Sequence, residues 1–492
     1  MNKVKKLAGQ TLLYGLGSII PKLLNFAILT PFYTRIFAPG VYGTVTELYA
    51  YVVILMVIIS FGMETGFFRF AQNKKDLKAV FTSSFLFVSV LAVLFVVVVR
   101  LATGPIAGFI QYDDNPEYIK WFSYIIALDA IASLPFAKLR QQNRALKFAI
   151  IKMLNVVVNI GLVVFFFVIW PRLWAANPGE GLNRYFDPAM GVGYVFIANL
   201  ITSAIVLLFL STELKDLKGP VQLRILKNLL KYSFPIVIIG IAGSINEVAD
   251  KILLKFWLPD SFEAMDIVGI YGANYKIAVL MTLFIQMFRY AFEPFLFAQS
   301  KDVDAKRLYA QILDIFFSLG LVIFLGVLFY LDIVKYYIDE KYWEGIGIVP
   351  IILLANLFLG VFYNLSVWYK INDFTRYGAW LAIGGATITI ILNAVLIPLI
   401  GYMGSAWATL ACYTLMMIGS YLWGRKIYPV PYRVDRFLIN LGLALLLFGV
   451  SEFIKPDILW LRLTINTVLL IVFMVWIEKQ QKLLSILLPS RS

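Results

Sequence analysis

The 492-residue chain contains no histidine and a single cysteine, Cys412. Without imidazole there is no His-ligated metal, no histidine proton relay and no Ser-His-Asp triad. A lone cysteine excludes an intramolecular disulfide and a thiolate metal cluster. Charged residues are scarce, at 15% of the chain, where soluble domains carry about 25%. No polar stretch is long enough to make a soluble domain; the longest fall at 171–188 and 211–226. Function must therefore run on carboxylates, lysines, arginines, amides and shape.

What the chain has in abundance is apolar sequence: 61% hydrophobic residues and a mean hydropathy of +0.82. Runs such as 80–99, 156–169, 312–329 and 463–477 are apolar on every side, so they read as helices crossing a bilayer rather than lying on one. About 20 apolar residues span the hydrocarbon core. On that measure about fourteen spans are expected, near 10–37, 42–68, 79–99, 118–137, 148–170, 189–210, 229–257, 268–297, 308–331, 346–368, 377–397, 402–424, 437–453 and 461–477. The fold expected is an all-α integral membrane protein. Met1–Lys6 and the apolar stretch after it read as a retained first span, because the stretch outruns an h-region of about 7–15 residues and shows no A-x-A-like site.

The chain also repeats itself. Gly40-Val41-Tyr42-Gly43 returns 229 residues later as Gly269-Ile270-Tyr271-Gly272, and Glu64 returns at the same spacing as Glu293. Phe70-Ala71-Gln72 is echoed by Phe297-Ala298-Gln299. Asn159 and Asn393 sit in corresponding spans, each ahead of a glycine-rich stretch. This period is far too long for a solenoid unit of about 20–50 residues. Two large halves in a membrane protein are the ground plan of many secondary transporters. The division expected is a six-helix bundle over 1–215, a second over 216–430 in pseudo-two-fold relation to it, and two further helices over 431–492.

The net charge of +14 would suggest nucleic acid in a soluble protein. Here topology accounts for it, and no nucleic-acid partner is expected. With the N-terminus inside, inner segments hold about 28 of the 43 Lys and Arg and outer loops about 8, which places both termini in the cytoplasm.

Charges inside spans cost about 2.5–3.5 kcal/mol at mid-bilayer and default to a functional hypothesis. Cations rival or outnumber acids there, which suits an anionic cargo in a wet cavity between the halves. Lys152, Lys251, Lys276 and Arg289 are the candidate cavity cations, with Arg35 and Lys255 nearer the outer rim. Asp250, Asp129, Glu247 and Glu293 are the candidate acids for coupling to a proton or sodium gradient, since burial raises a carboxylate's pKa. Blander readings stay open. Arg35 and Lys255 can snorkel to the interface. Glu247/Lys251 and Arg289/Glu293 are four apart and can pair along a helix face. Asp250 or Asp129 can be a buried acid bonded to Asn or Ser. Most Trp and Tyr near span ends fit an interfacial belt. No metal or cofactor is expected.

The run from Leu29 to Gly43 (LTPFYTRIFAPGVYG), with Gly62 and Arg69 beyond it, resembles the opening of bacterial Wzx-type oligosaccharide flippases. So do Asp250-Lys251 ahead of Gly269–Gly272, and Asn393–Pro398 running into Gly401–Leu410. These flippases are the polysaccharide transporter branch of the multidrug/oligosaccharidyl-lipid/polysaccharide exporter superfamily, and the likeness covers nearly the whole chain. It implies a twelve-helix core in two bundles and transfer of a polyprenyl-pyrophosphate-linked oligosaccharide to the outer leaflet of the inner membrane. It also implies work alongside a polymerase and other assembly proteins, in O-antigen, lipopolysaccharide or exopolysaccharide synthesis. Lys251 stands where such proteins often have Arg. Two alternatives are kept. A multidrug-type antiporter of the same superfamily commonly has an acid in its first span, and residues 10–37 contain none. A polysaccharide polymerase or glycosyltransferase needs a platform outside the bilayer, and the loop 171–188 offers only Arg172, Glu180, Arg184 and Asp187.

Overall fold

The computed structural model describes residues 2–72, 76–217, 219–259, 263–298, 304–372 and 374–481, without the side chains of 2–14, 16, 182, 216, 291 and 293–298. The described residues are helical nearly throughout and form no strand. In chain order the long helices are α1 (Asn2–Ile36), α2 (Pro39–Ser60), α3 (Leu77–Leu101), α4 (Pro116–Gln141), α5 (Ala145–Val164), α6 (Gly193–Leu210) and α7 (Leu223–Trp257). Beyond them come α8 (Ala264–Ala298), α9 (Ala305–Phe329), α10 (Val349–Leu365), α11 (Thr375–Ile400), α12 (Tyr402–Ile427), α13 (Val434–Ile454) and α14 (Leu459–Gln481).

Twelve of these segments are long and apolar enough to cross a membrane among the described residues. The other two, α1 and α12, have the length. In α12, however, Gly404, Ser405, Thr409, Thr414 and Ser420 dilute the hydropathy. That helix packs its small residues inward, with Ala406, Ala408 and Cys412 fully buried.

Two compact units emerge. Unit 1 comprises residues 1–33 and 44–252; unit 2 comprises 34–43 and 253–492. Within unit 1, α4 is the interior helix: 72% of its apolar stretch is buried, against 28% for α3. Pro116 at its first turn begins it without wasting a hydrogen bond. In unit 2 the interior positions fall to α8 and to Glu340–Ile371, each 72% buried.

Two local features bring distant parts of the chain together. The chain leaves α2 through Phe61 and Gly62, both with positive φ (51° and 61°), and this left-handed step redirects it into the short helix Met63–Phe70. A Cβ on Gly66 in that short helix would stand 2.8 Å from Ser233 Oγ, so it lies tight against α7. Second, the repeated glycine motifs meet. A Cβ on Gly269 would fall 1.9 Å from the Pro39 carbonyl oxygen, and one on Gly43 2.1 Å from that of Met265. The starts of α2 and α8 therefore cross backbone on backbone within unit 2.

Helix α14 is bound to the end of α9 by hydrogen bonds and to α13 by others, while α13 meets α9 through ring contacts. Asn466 donates to the Phe329 carbonyl at 2.7 Å and accepts from Ser451 at 2.6 Å. Tyr330 bonds Thr467 at 2.7 Å. Trp476 donates to Asn440 at 3.0 Å. Phe437 stacks on Phe317 with centroids 3.9 Å apart.

Candidate functional site

Unit 1 gathers a row of charges inside its helices. Asp129, on α4, lies near Ser203 of α6 and within electrostatic reach of Lys152 from α5. Lys152 lays its ammonium over the Phe136 ring, 4.1 Å from the centroid. The ring's quadrupole offsets part of the cost of holding that charge away from water. The charges of Asp129, Arg140, Glu64 and Lys22 all bear on Lys152.

Further along α4, Arg140 bonds the carboxylate of Glu64. Its guanidinium lies 5.1 Å from Phe68 and 5.8 Å from Phe148. The left-handed step at Phe61-Gly62 is what turns Glu64 toward Arg140. Eleven residues of helix separate Asp129 from Arg140, about 16 Å at 1.5 Å per residue. The row thus alternates Asp129, Lys152, Glu64, Arg140 over that distance. Counting Lys22, three cations face two acids. Lys152 feels all the other charges of the row, so protonation or anion binding at any of them shifts the load on it.

Beyond this row, at the α4–α5 turn, Glu213 is almost wholly buried with its side chain 3% exposed. It accepts from Arg144 at 2.7 Å and Lys147 at 2.5 Å. Lys138, also buried, donates to its carbonyl at 2.5 Å. This junction joins the ends of α4, α5 and α6.

On α7, Asp250 is buried and Lys251 bonds both its oxygens, at 2.9 and 3.2 Å. The same ammonium reaches the Glu247 carbonyl at 3.2 Å. The expected cation and the expected acid of this helix are thus one ion pair, while the Glu247 side chain is exposed.

In unit 2, Arg289 on α8 lies over the Tyr363 ring of α10 at 4.3 Å. Lys276 is on the same helix and exposed, thirteen residues away and hence about 20 Å along the axis. Arg35 is exposed and donates to the Tyr336 carbonyl at 3.3 Å. Lys255 is buried, 5.9 Å from the Phe256 ring. Glu293 falls on α8, but its side chain lies outside the described residues, as does Gln299 of the repeat.

Several of these residues are not among those the sequence singles out. Glu47, on α2, is fully buried and accepts from the phenols of Tyr112 at 2.7 Å and Tyr51 at 3.3 Å. Burial and the neighbouring Glu47 charge hold the Tyr112 phenol far above its ordinary pKa, so it remains a donor. The rule applied to the other intramembrane acids flags Glu47 equally. Ser203, Phe136 and Tyr363 carry no such signal in sequence. Arg140 reads as one more inner-loop cation, and Glu64 stands out for its repeat, not for this contact.

Comparison with known proteins agrees with this architecture. The chain resembles the lipid II flippase MurJ in its inward closed conformation, with a TM-score of 0.73 at 13% identity over 95% of this chain and 99% of that one. MATE in the straight conformation matches with a TM-score of 0.62 at 14% identity, over 86% and 95% of the two chains. A mutant of the Vibrio cholerae MATE transporter VcmN matches with a TM-score of 0.60 at 12% identity, over 87% and 98%. At these identities the likeness is one of fold. No curated protein matches the chain by sequence. Residues 7–299, more than half the chain, match the polysaccharide biosynthesis protein family, and this multi-pass helical chain therefore belongs to that family.

Proposed function

We propose that the chain is a flippase that carries polyprenyl-pyrophosphate-linked oligosaccharide from the cytoplasmic to the outer leaflet of a bacterial inner membrane by alternating access. The observation that carries this reading is Lys152. In a member of a polysaccharide biosynthesis family, a lysine is held inside a membrane-spanning unit against an aromatic face and an acid. A cation kept at that cost can meet an anionic headgroup, for which ammonium–phosphate contacts are strong in a low dielectric. Arg289 over Tyr363 offers a second such cation in unit 2. Asp129, beside Lys152, is the acid through which a proton or sodium ion would couple. When Asp129 loses its charge, Lys152 is released to the cargo; when the charge returns, the pair re-forms. On α7, Asp250 and Lys251 form an ion pair. No covalent step is required. The excess of basic residues at one end of the helices supports cytoplasmic termini.

The test is a strain lacking the gene, in which the leaflet and size of the lipid-linked glycan are measured. Complete single repeat units held on the cytoplasmic leaflet are expected. Units that reach the outer leaflet but fail to grow would point to a polymerase instead. A multidrug antiporter is the second reading, favoured by the MATE likeness. It predicts changed drug sensitivity in that strain with normal glycan transfer.

A further inference from the structure

The segment joining α5 to α6 is built more elaborately than a connection needs. Helix α5 runs into a single π-helical turn, Phe165–Ile169, and a short helix, Trp170–Ala176. π turns in helices are found disproportionately at functional sites. Above them, Phe186 lies parallel to Tyr194, with 8° between planes and centroids 5.6 Å apart. Trp174 packs 5.8 Å from Phe186, tilted by 52°. This stack climbs from buried Tyr194 to a surface where Tyr185 is 68% exposed and Arg184 lies 5.9 Å from the Tyr185 ring.

The loop is pinned to the stack. Asn183 donates to the carbonyls of Leu173 and Asn177, both at 3.0 Å. The Asp187 amide donates to Tyr194 Oη at 2.9 Å. An interfacial belt does not account for Trp170. Belt residues turn the indole N–H to water or headgroups, whereas the Trp170 N–H is buried without a hydrogen-bond partner among the described residues. Its ring instead forms part of the wall, 5.4 Å from Phe186. Trp343, in unit 2, shows the contrast: its N–H is satisfied by the Lys335 carbonyl at 3.0 Å.

We propose that this loop is a docking platform for the sugar part of the cargo, at the end of unit 1 opposite its basic one. A pyranose presents an apolar C–H face and a rim of hydroxyls. Trp174 and Tyr185 offer partly open rings for the face, and exposed Arg184 offers donors for the rim or for an acidic sugar. A preformed platform loses little conformational entropy on binding. The choice of a glycan as occupant rests on the proposed function; the platform itself rests on the geometry.

The experiment uses the full chain in nanodiscs of phosphatidylethanolamine and phosphatidylglycerol. The probe is the lipid-free repeat-unit oligosaccharide released by mild acid from the producing strain's own surface polysaccharide, followed by saturation-transfer NMR and calorimetry. Wild type is expected to bind it. Trp174→Ala and Tyr185→Ala should each weaken binding at least about tenfold, equivalent to about 1.4 kcal/mol, while Tyr185→Phe, which keeps the ring, retains it. Tyr185 is exposed, so its variants keep the fold, which a thermal unfolding scan verifies. No binding by wild type, or equal binding by all variants, would overturn the platform. Leaflet transfer, scored separately, judges the flippase reading: transfer that continues when docking is absent leaves that reading standing.

Discussion

Gly43 and Gly269 pack backbone against backbone: a Cβ on either would lie within 3.2 Å of the other's amide nitrogen. The two copies of the repeated motif thus serve as each other's packing partners. Gly269 is the tighter of the two, since its Cβ would also overlap the Pro39 carbonyl at 1.9 Å. Backbone cannot rotate away as a side chain can. Gly269→Ala should therefore destabilise the protein by about 1–3 kcal/mol or more, the range for overpacking. Thermal unfolding of purified protein checks this. Gly104, whose Cβ would meet nothing within 4 Å, is the control and should tolerate alanine.

Lys152 and Asp129 should behave as a pair. Lys152→Ala is expected to abolish transfer while leaving protein in the membrane, because the change shortens a side chain that packs on Phe136 without altering the helix. Asp129→Asn should slow transfer and remove its dependence on a proton or sodium gradient. Transport in inverted vesicles under imposed gradients measures both. Wild-type gradient dependence in Asp129→Asn would clear that acid of the coupling role.

Arg289 should depend on a ring rather than on a phenol. Tyr363→Phe keeps the cation–π contact and should leave transfer unchanged. Tyr363→Ala and Arg289→Ala should each reduce it, and equal losses in the single and double variants would mark one shared contact. Full transfer in Arg289→Ala with normal protein levels would remove Arg289 from the site.

Glu213 should matter for stability. Replacing it with Gln leaves Lys138, Arg144 and Lys147 without their shared acid, and Lys138 is buried. Loss of one partner in a buried ionic cluster costs about 3–5 kcal/mol, reduced here because Arg144 and Lys147 are 44% and 30% exposed. A loss of about 2–3 kcal/mol in a denaturation curve is expected, while Lys147→Met should cost under about 1 kcal/mol.

Approximate helix number, apolar class and family likeness were legible in the sequence because bilayer crossing imposes length and hydropathy on each segment separately. The pairings were not, because they depend on which faces meet. Glu247 and Lys251 satisfy the four-residue rule, yet Lys251 bonds Asp250, its neighbour in sequence. The close approach permitted by two glycine pairs was visible as a repeated motif, but nothing in the sequence said that the copies touch. Asp129 and Lys152 both stand out as intramembrane charges. Their proximity arises from α6 packing against both α4 and α5, which hydropathy does not encode.

The hydrogen bonds that fasten α14 to the end of α9 bear on how the protein is made. Asn466 finds the Phe329 carbonyl only when α9 is already beside it. Released alone into hydrocarbon, this helical hairpin would keep the Ser451–Asn466 and Trp476–Asn440 bonds but turn the Asn466 amide N–H toward lipid tails that offer no partner. The hairpin also leaves the ribosome well after α9. Its insertion is therefore templated by helices synthesised earlier, and a ribosome-bound chain halted before α13 would present α9 as an unfinished docking strip for membrane chaperones.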